Sequence, residues 1–250
     1  MVLAQVRISH GAKVGDSIDD VQERLRKSGF PRFEEGRAHE ILLRPGLQPE
    51  LREHPRWEFQ NKERTAGIIV MQSAIALQTN SYDTFDRFAM SLRLALDVIG
   101  DAVKPALVER LGLRYVDLVR PEAGESWTAY LKQGLHGLSP EAIGMTGGLQ
   151  RHETTGTTTV GQLVVRCVQS ADGNVLPADL SPSTLDYSRI TARPDELMTL
   201  LDLDHFSPVT RDYDVDQVMD AMWGLHENLD ISFREAITDH AMKKWKAQSL

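Results

Sequence analysis

Apolar positions along this chain change period twice in the same way. Ile68-Ile69-Val70-Met71 and Ile75-Ala76-Leu77 are compact runs of strand type. They lead through Asn80-Ser81-Tyr82-Asp83 into a segment where Phe85, Phe88, Ala89, Leu92, Ala95, Leu96 and Ile99 recur with the spacing of one helix face. Further on, Leu197-Met198-Thr199-Leu200-Leu201-Asp202-Leu203 leads through Arg211-Asp212-Tyr213-Asp214 into Val215, Val218, Met219, Met222, Leu225, Leu229 and Phe233 at the same spacing. The pattern predicts helices over 84–99, closed by Gly100, and over 215–233, each entered across an acidic turn containing Tyr-Asp. Two such blocks predict an α+β fold of pseudo-duplicated strand-helix units, a mainly antiparallel sheet with helices packed on one face. Antiparallel pairing follows because consecutive strands are joined by tight turns rather than by helices.

Weaker patterns fill the rest. Residues 2–8 alternate and predict a strand, and Ile18, Val21 and Leu25 predict a helix over 17–29 closed by Gly29-Phe30-Pro31. The mixed, proline-bearing stretch 34–55 reads as loop with a short strand near Ile41-Leu42-Leu43. Trp57 opens a meander whose further strands are 67–72 and 74–79. A short helix over 103–110 and a strand over 113–119 follow. The joint at 121–124 divides the chain into halves 1–120 and 121–250, packed as one compact body. A helix near 126–134, a Gly/Thr/Ser-rich loop over 138–161, strands over 158–169 and 197–204, a turn at Asp172-Gly173 and an amphipathic piece over 238–246 complete the expectation.

Composition narrows the class. A chain of 250 residues buries a real core, and its 41% hydrophobic and 26% charged residues are those of a soluble globular protein. Its net charge of -8 argues against general nucleic-acid binding. Lone Cys167 has no intrachain disulfide partner and lies in the apolar run 163–168, which reads as a buried thiol in a reducing compartment. No stretch approaches the roughly 18 apolar residues of a membrane span, and the start reads as too short for a signal peptide. The expected location is the cytoplasm.

Three groups of residues carry candidate chemistry. Asp202 and Asp204 share a strand face, and with His205 they form a candidate site for a divalent metal, to which Asp212, Asp214 and Asp216 can converge. The competing reading is a solvated strand face followed by acidic residues at a helix N-terminus. Arg7, Arg114 and Arg166 each interrupt an apolar strand; they converge on a phosphate or carboxylate, or occupy the wet face of a half-exposed sheet. His226 borders the buried stripe of its helix, as an acid or base or as a structural imidazole bonded to a strand carbonyl. No catalytic residue is assigned and no cofactor is expected, a divalent metal being the alternative. Gly144-Met145-Thr146-Gly147-Gly148 lacks the Lys-Ser/Thr ending of a phosphate loop.

Val2-Leu3-Ala4-Gln5-Val6-Arg7, Gly29-Phe30-Pro31-Arg32-Phe33-Glu34-Glu35, Tyr82-Asp83-Thr84-Phe85 and Leu111-Gly112-Leu113-Arg114-Tyr115-Val116-Asp117 resemble the marks of a sporadically distributed bacterial family of unknown function. Leu201-Asp202-Leu203-Asp204-His205-Phe206 and Leu225-His226-Glu227 with Phe233 resemble its C-terminal marks, so the likeness spans nearly the whole chain. The chain departs from that family where Met1 almost abuts the first strand and where Trp245 is followed by Lys246 rather than glycine. The resemblance implies no activity and transfers no catalytic residue. Patchy distribution implies genes on mobile or defence-related islands, hence an accessory subunit, an antitoxin-like inhibitor or a sensor.

Two functions compete. The favoured one is a non-enzymatic interaction protein whose acidic segments dock a basic protein partner, with self-association left open. The alternative is a metal-dependent enzyme or a binder of phosphorylated or nucleotide ligands, built on Asp202, Asp204 and His205 with the strand arginines holding the anion.

Overall fold

The computed structural model describes residues 1–11, 14–42, 48, 50–139, 141–145, 149–170, 175–180, 183–188 and 198–248. Among the described residues nine strands form one sheet: β1 (Val2–Ile8), β2 (Arg32–Leu42), β3 (Glu50–Gln60), β4 (Ala66–Met71), β5 (Ala74–Thr79), β6 (Leu107–Val119), β7 (Leu149–Thr157), β8 (Gln162–Ser170) and β9 (Met198–Asp212). Their order is β2-β3-β4-β5-β1-β6-β9-β8-β7, and every pairing is antiparallel. Both halves of the chain therefore feed one sheet, joined where β6 pairs with β9. The helices are α1 (Ile18–Lys27), α2 (Phe85–Val103), α3 (Val215–Ala236) and α4 (Asp239–Gln248). No helix among the described residues is long and apolar enough to cross a membrane.

Alternation along the strands decides which face is dry. Val2, Ala4, Val6 and Ile8 of β1 are buried, and register aligns Ala4 with Leu77 and Leu113, and Leu113 with His205. Helix α1 packs against β3 and α2, α2 against β5 and α3, and α3 against β6 and β9, all on this side. Val21 and Leu25 of α1, Leu92, Leu96 and Ile99 of α2, and Val218, Met222, Leu225 and Leu229 of α3 supply the facing core. Both long helices open on a side-chain cap. Thr84 Oγ1 accepts from Arg87 N at 3.4 Å and Asp214 Oδ1 from Gln217 N at 2.9 Å, satisfying amides that have no partner within the helix.

Several elements differ from expectation for identifiable reasons. Helix α2 runs through Gly100 and ends at Val103, with Lys104 left-handed at φ 52°. Gly100 serves packing instead: a Cβ there would lie 2.8 Å from Tyr213 Cε1, and Tyr213 Oη donates to Leu96 O at 2.8 Å. Residues 34–42 and 50–55 are not mostly loop but most of an 11-residue strand pair, β2 and β3, with the expected strand at Ile41-Leu42 forming the end of β2. Residues 34–37 are all exposed, which erases the alternation a strand shows when one face is buried. Pro55 lies just beyond Arg56, the last β3 residue paired to β4, where the strand needs no donor on that side. The short helix over 103–110 is absent: β6 already spans Leu107–Val119. Only single 3₁₀ turns, Trp127–Ala129 and Gln133–Leu135, stand where a helix over 126–134 is predicted. Part of the 138–161 loop is the edge strand β7. Leu43, Thr146, Gly147, Gly148, Asp172, Gly173 and Leu197 lie outside the described residues.

Residues 175–180 and 183–188, the described parts of the connection from β8 to β9, lie on the face opposite the helices and form a strap. It buries Leu176 and Leu185. Thr184 Oγ1 donates to buried Glu58, which also accepts from Arg56 at 2.6 Å and from Gln60 and Gln78 at 3.1 Å. Asp186 N donates to Arg64 O at 2.9 Å. Four donors around one buried carboxylate pin this strap to β3 and β5, because an unpaired charge there would be costly.

Candidate functional site

Strand register sets the charged cluster of the helix-free face. Arg7 of β1 lies opposite Arg110 of β6, Arg114 opposite Asp204 of β9, and Arg166 of β8 opposite Asp202. Asp202 is buried, and the Arg114 fork grips it at 2.7 Å (Nε to Oδ1) and 2.8 Å (Nη2 to Oδ2). Arg166 Nη1 adds a contact of 3.3 Å to Oδ2. Each arginine has a second carboxylate: Asp179 of the strap on Arg114, and Glu153 of β7 on Arg166 at 2.8 Å. Two of the three arginines named from the sequence thus converge, and the anion they hold is the chain's own Asp202. Arg7 does not join them; it is exposed at the far end of the cluster.

The expected metal set is likewise divided. Asp202 and Asp204 do share a face, but His205 points to the other side, as adjacent strand residues must. The described residues hold no group of three or more His, Cys, Asp or Glu able to hold a metal ion. Asp214 caps α3 and Asp216 pairs with Arg93 at 2.7 Å, so neither converges on Asp202. His205 is fully buried, its Nδ1–H donating to Leu225 O at 3.0 Å while Nε2 meets the Thr158 hydroxyl at 2.9 Å. A carbonyl only accepts, which fixes the tautomer. Cys167 is buried too, and burial pushes its thiol up to about 11, away from nucleophilic use.

Burial lowers the His205 pKa below its ordinary 6.5. Below that pH an unfolded chain protonates this histidine more readily than the folded one, so folding stability declines on acidification through about 6.5 down to the lower folded value. Melting temperature measured against pH is expected to fall over this window, and His205→Gln is expected to flatten the slope. An unchanged slope in the variant would assign the acid sensitivity to another group, His226 being shifted in the same direction.

A cavity of about 280 Å³ opens beside Arg114, lined by Leu3, Gln5, Arg110, Gly112, Asp179, Leu180 and Asp204. Gly112 leaves room for the Arg110 guanidinium to fold across it: a Cβ there would stand 3.3 Å from Arg110 Nη1. The guanidinium carbon lies 4.4 Å from the Phe206 ring centroid, and Nη1 donates to Gln5 Oε1 at 3.3 Å. Burial raises the Asp204 carboxyl and lowers the Arg110 guanidinium, so each charge is under-compensated where it stands.

On the helix side, His226 bonds a strand residue through a side chain rather than through a carbonyl. Tyr115 of β6 approaches His226 Nδ1 at 3.0 Å, and Tyr82 Oη lies 3.3 Å from Tyr115 Oη. The imidazole stacks on Phe85 with 4.0 Å between centroids. Burial lowers the His226 pKa and raises that of Tyr115, so a tyrosine hydroxyl donates to a neutral imidazole. Asp117, its carboxyl raised by burial, lines the adjoining cavity of about 240 Å³ with Asp230, Leu229 and Phe233.

Arg110, Asp179, Tyr82 and Tyr115 are the site residues that sequence reasoning passed over. The signal for Arg110 is the two-residue step from Arg110 to Gly112 to Arg114, which places all three on one strand face; reading 103–110 as helix concealed it. Asp179 carries no local signal, since it reaches Arg114 only through the path of the strap. Comparison of the chain with family models, curated proteins and solved structures finds no match.

Proposed function

We propose that this chain is a non-enzymatic interaction protein whose outer helix layer docks a basic protein partner. The observation that carries this reading is the outward line of α3, where Asp216, Asp220, Trp223, Glu227 and Ile231 are exposed at intervals of three and four residues. Trp223 is 37% and Ile231 61% exposed, so large apolar groups stand between carboxylates. Alongside, α2 exposes Asp86, Met90, Asp97 and Asp101. Aromatic anchors supply contact energy while the carboxylates speed encounter with a basic surface, consistent with the net charge of -8. The candidate metal and anion residues support the same reading, because Asp202, Arg114 and Arg166 are bonded to one another and His205 to Leu225 O and Thr158.

With the family resemblance, the reading extends to an accessory or antitoxin-like component of a bacterial defence island, working in the cytoplasm. It also treats β5-α2 and β9-α3 as an internal duplication, supported by the two side-chain-capped helices entered across Tyr-Asp turns. The alternative of a metal-dependent enzyme or nucleotide binder requires the Asp202 network to open first.

The test compares capture from the native host by wild type and by the double variant Asp220→Lys/Glu227→Lys. A partner lost on charge reversal is purified and titrated directly, and its affinity is expected to fall as salt rises. Captured proteins that are the same for both chains, or direct binding indifferent to salt, would overturn the proposal.

A further inference from the structure

The geometry points to a binding site for a small apolar α-amino acid in the cavity between β1, β6, β9 and the strap. One wall carries the Arg110 guanidinium and another the Asp204 carboxylate, and the two form no ion pair with each other within 4.0 Å. Among the described residues Arg110 has no carboxylate partner; its neighbours are the Gln5 amide and the Phe206 ring. The one ion-pair contact of Asp204 among the described residues is a loose 4.0 Å to Arg166, Arg114 and Arg110 acting on it only from beyond that range, and its side chain is 19% exposed. Arg114 and Asp179, the other charged lining residues, are already joined to each other. The cavity therefore presents one positive and one negative group of its own, both partly buried and both under-compensated.

A zwitterion answers both at once. Its carboxylate suits the flat donor fork of Arg110, and its ammonium suits Asp204. Leu3 and Leu180 line the same cavity and offer apolar surface to a side chain. A volume of about 280 Å³ corresponds to roughly nine waters at ~30 Å³ each, the scale of a free amino acid. A lone anion would leave Asp204 repelled, and a lone cation would leave Arg110 repelled. Because Leu180 and Asp179 belong to the strap, an occupant would also brace the strap against the sheet. This site lies on the face opposite the acidic helix layer and stands independently of the docking surface proposed above.

Calorimetry and thermal shift on the whole chain test the assignment with L-leucine and two analogues, 4-methylpentanoate lacking the amine and 3-methylbutylamine lacking the carboxylate. Leucine is expected to bind and raise the melting temperature, with each analogue weaker by about tenfold or more, since each forfeits a charged hydrogen-bonding group. Arg110→Gln and Asp204→Asn are each expected to weaken leucine by a similar factor while melting cooperatively without ligand. The analogue comparison uses the unaltered protein, so it holds even where a variant fails to fold. Absence of heat or shift with leucine, valine and methionine up to about 10 mM overturns the proposal. So does 4-methylpentanoate or inorganic phosphate binding as tightly as leucine, which would make this a site for anions alone.

Discussion

Replacing Asp202 by alanine is expected to destabilise the fold by about 3 kcal/mol, the low end of the range for breaking a buried ion pair. Two guanidiniums meet on this carboxylate, and the Arg114 and Arg166 side chains are only 11% and 15% exposed. Removing the anion strands both charges in a site that water reaches poorly. The loss stays at the low end because Arg114 retains Asp179 and Arg166 retains Glu153. Denaturant unfolding measures it, and the control is a combined Asp202→Leu/Arg114→Met/Arg166→Met chain. Exchanging a whole buried ionic group for apolar ones of similar size is often neutral or stabilising, so the triple variant is expected to recover much of what the single one loses. If Asp202→Ala costs no more than a surface substitution, the network does not hold β6, β8 and β9 together in the way described.

Leu92→Ala and Met222→Ala are each expected to cost about 2–5 kcal/mol. Both side chains are fully buried, Leu92 where α2 meets the sheet and Met222 on the inward stripe of α3. Deleting either removes buried apolar surface and leaves a hole that neighbours fill only in part. Arg93→Ala and Asp220→Ala on the outward faces are expected to change stability by about 0.5 kcal/mol or less. Arg93 does pair with Asp216 at 2.7 Å, but the two are 45% and 80% exposed, and ion pairs this wet contribute little. Thermal unfolding of the four variants checks the phase of both helices. Equal damage from outward and inward substitutions would refute it.

The long helices were legible in the sequence because one face of each is dry and the other wet. Phe88, Leu92 and Ile99, and Met222, Leu225 and Leu229, fall inward as their spacing predicts. Strands β1, β4 and β5 were legible for the same reason, through dense burial at their alternating or continuous apolar positions. Where neither face is reliably dry, period disappears. That is why most of β2 and the outer part of β3 read as loop, and why edge strand β7, almost wholly exposed, was taken into a Gly/Thr/Ser-rich loop.

Asp202 and Asp204 sharing a face, with Arg114 and Arg166 on strands of their own, could be read from alternation alone. Which arginine meets which aspartate could not. That depends on β9 being inserted between β6 and β8, which brings Asp202 to Arg114 across 88 residues of chain, and on a strap whose Asp179 reaches Arg114. Burial periodicity is a local property of the chain, written residue by residue and set by 3.6- and 2-residue geometry. Partnership between charges depends on strand order and register, which no local window contains. The sequence by itself therefore determined the two long helices, the mainly antiparallel sheet and the class of residue on each face of those elements. Only the tertiary structure decided that two arginines are spent on Asp202, that His205 belongs to the core, and that Arg110 and Asp204 face one cavity without touching.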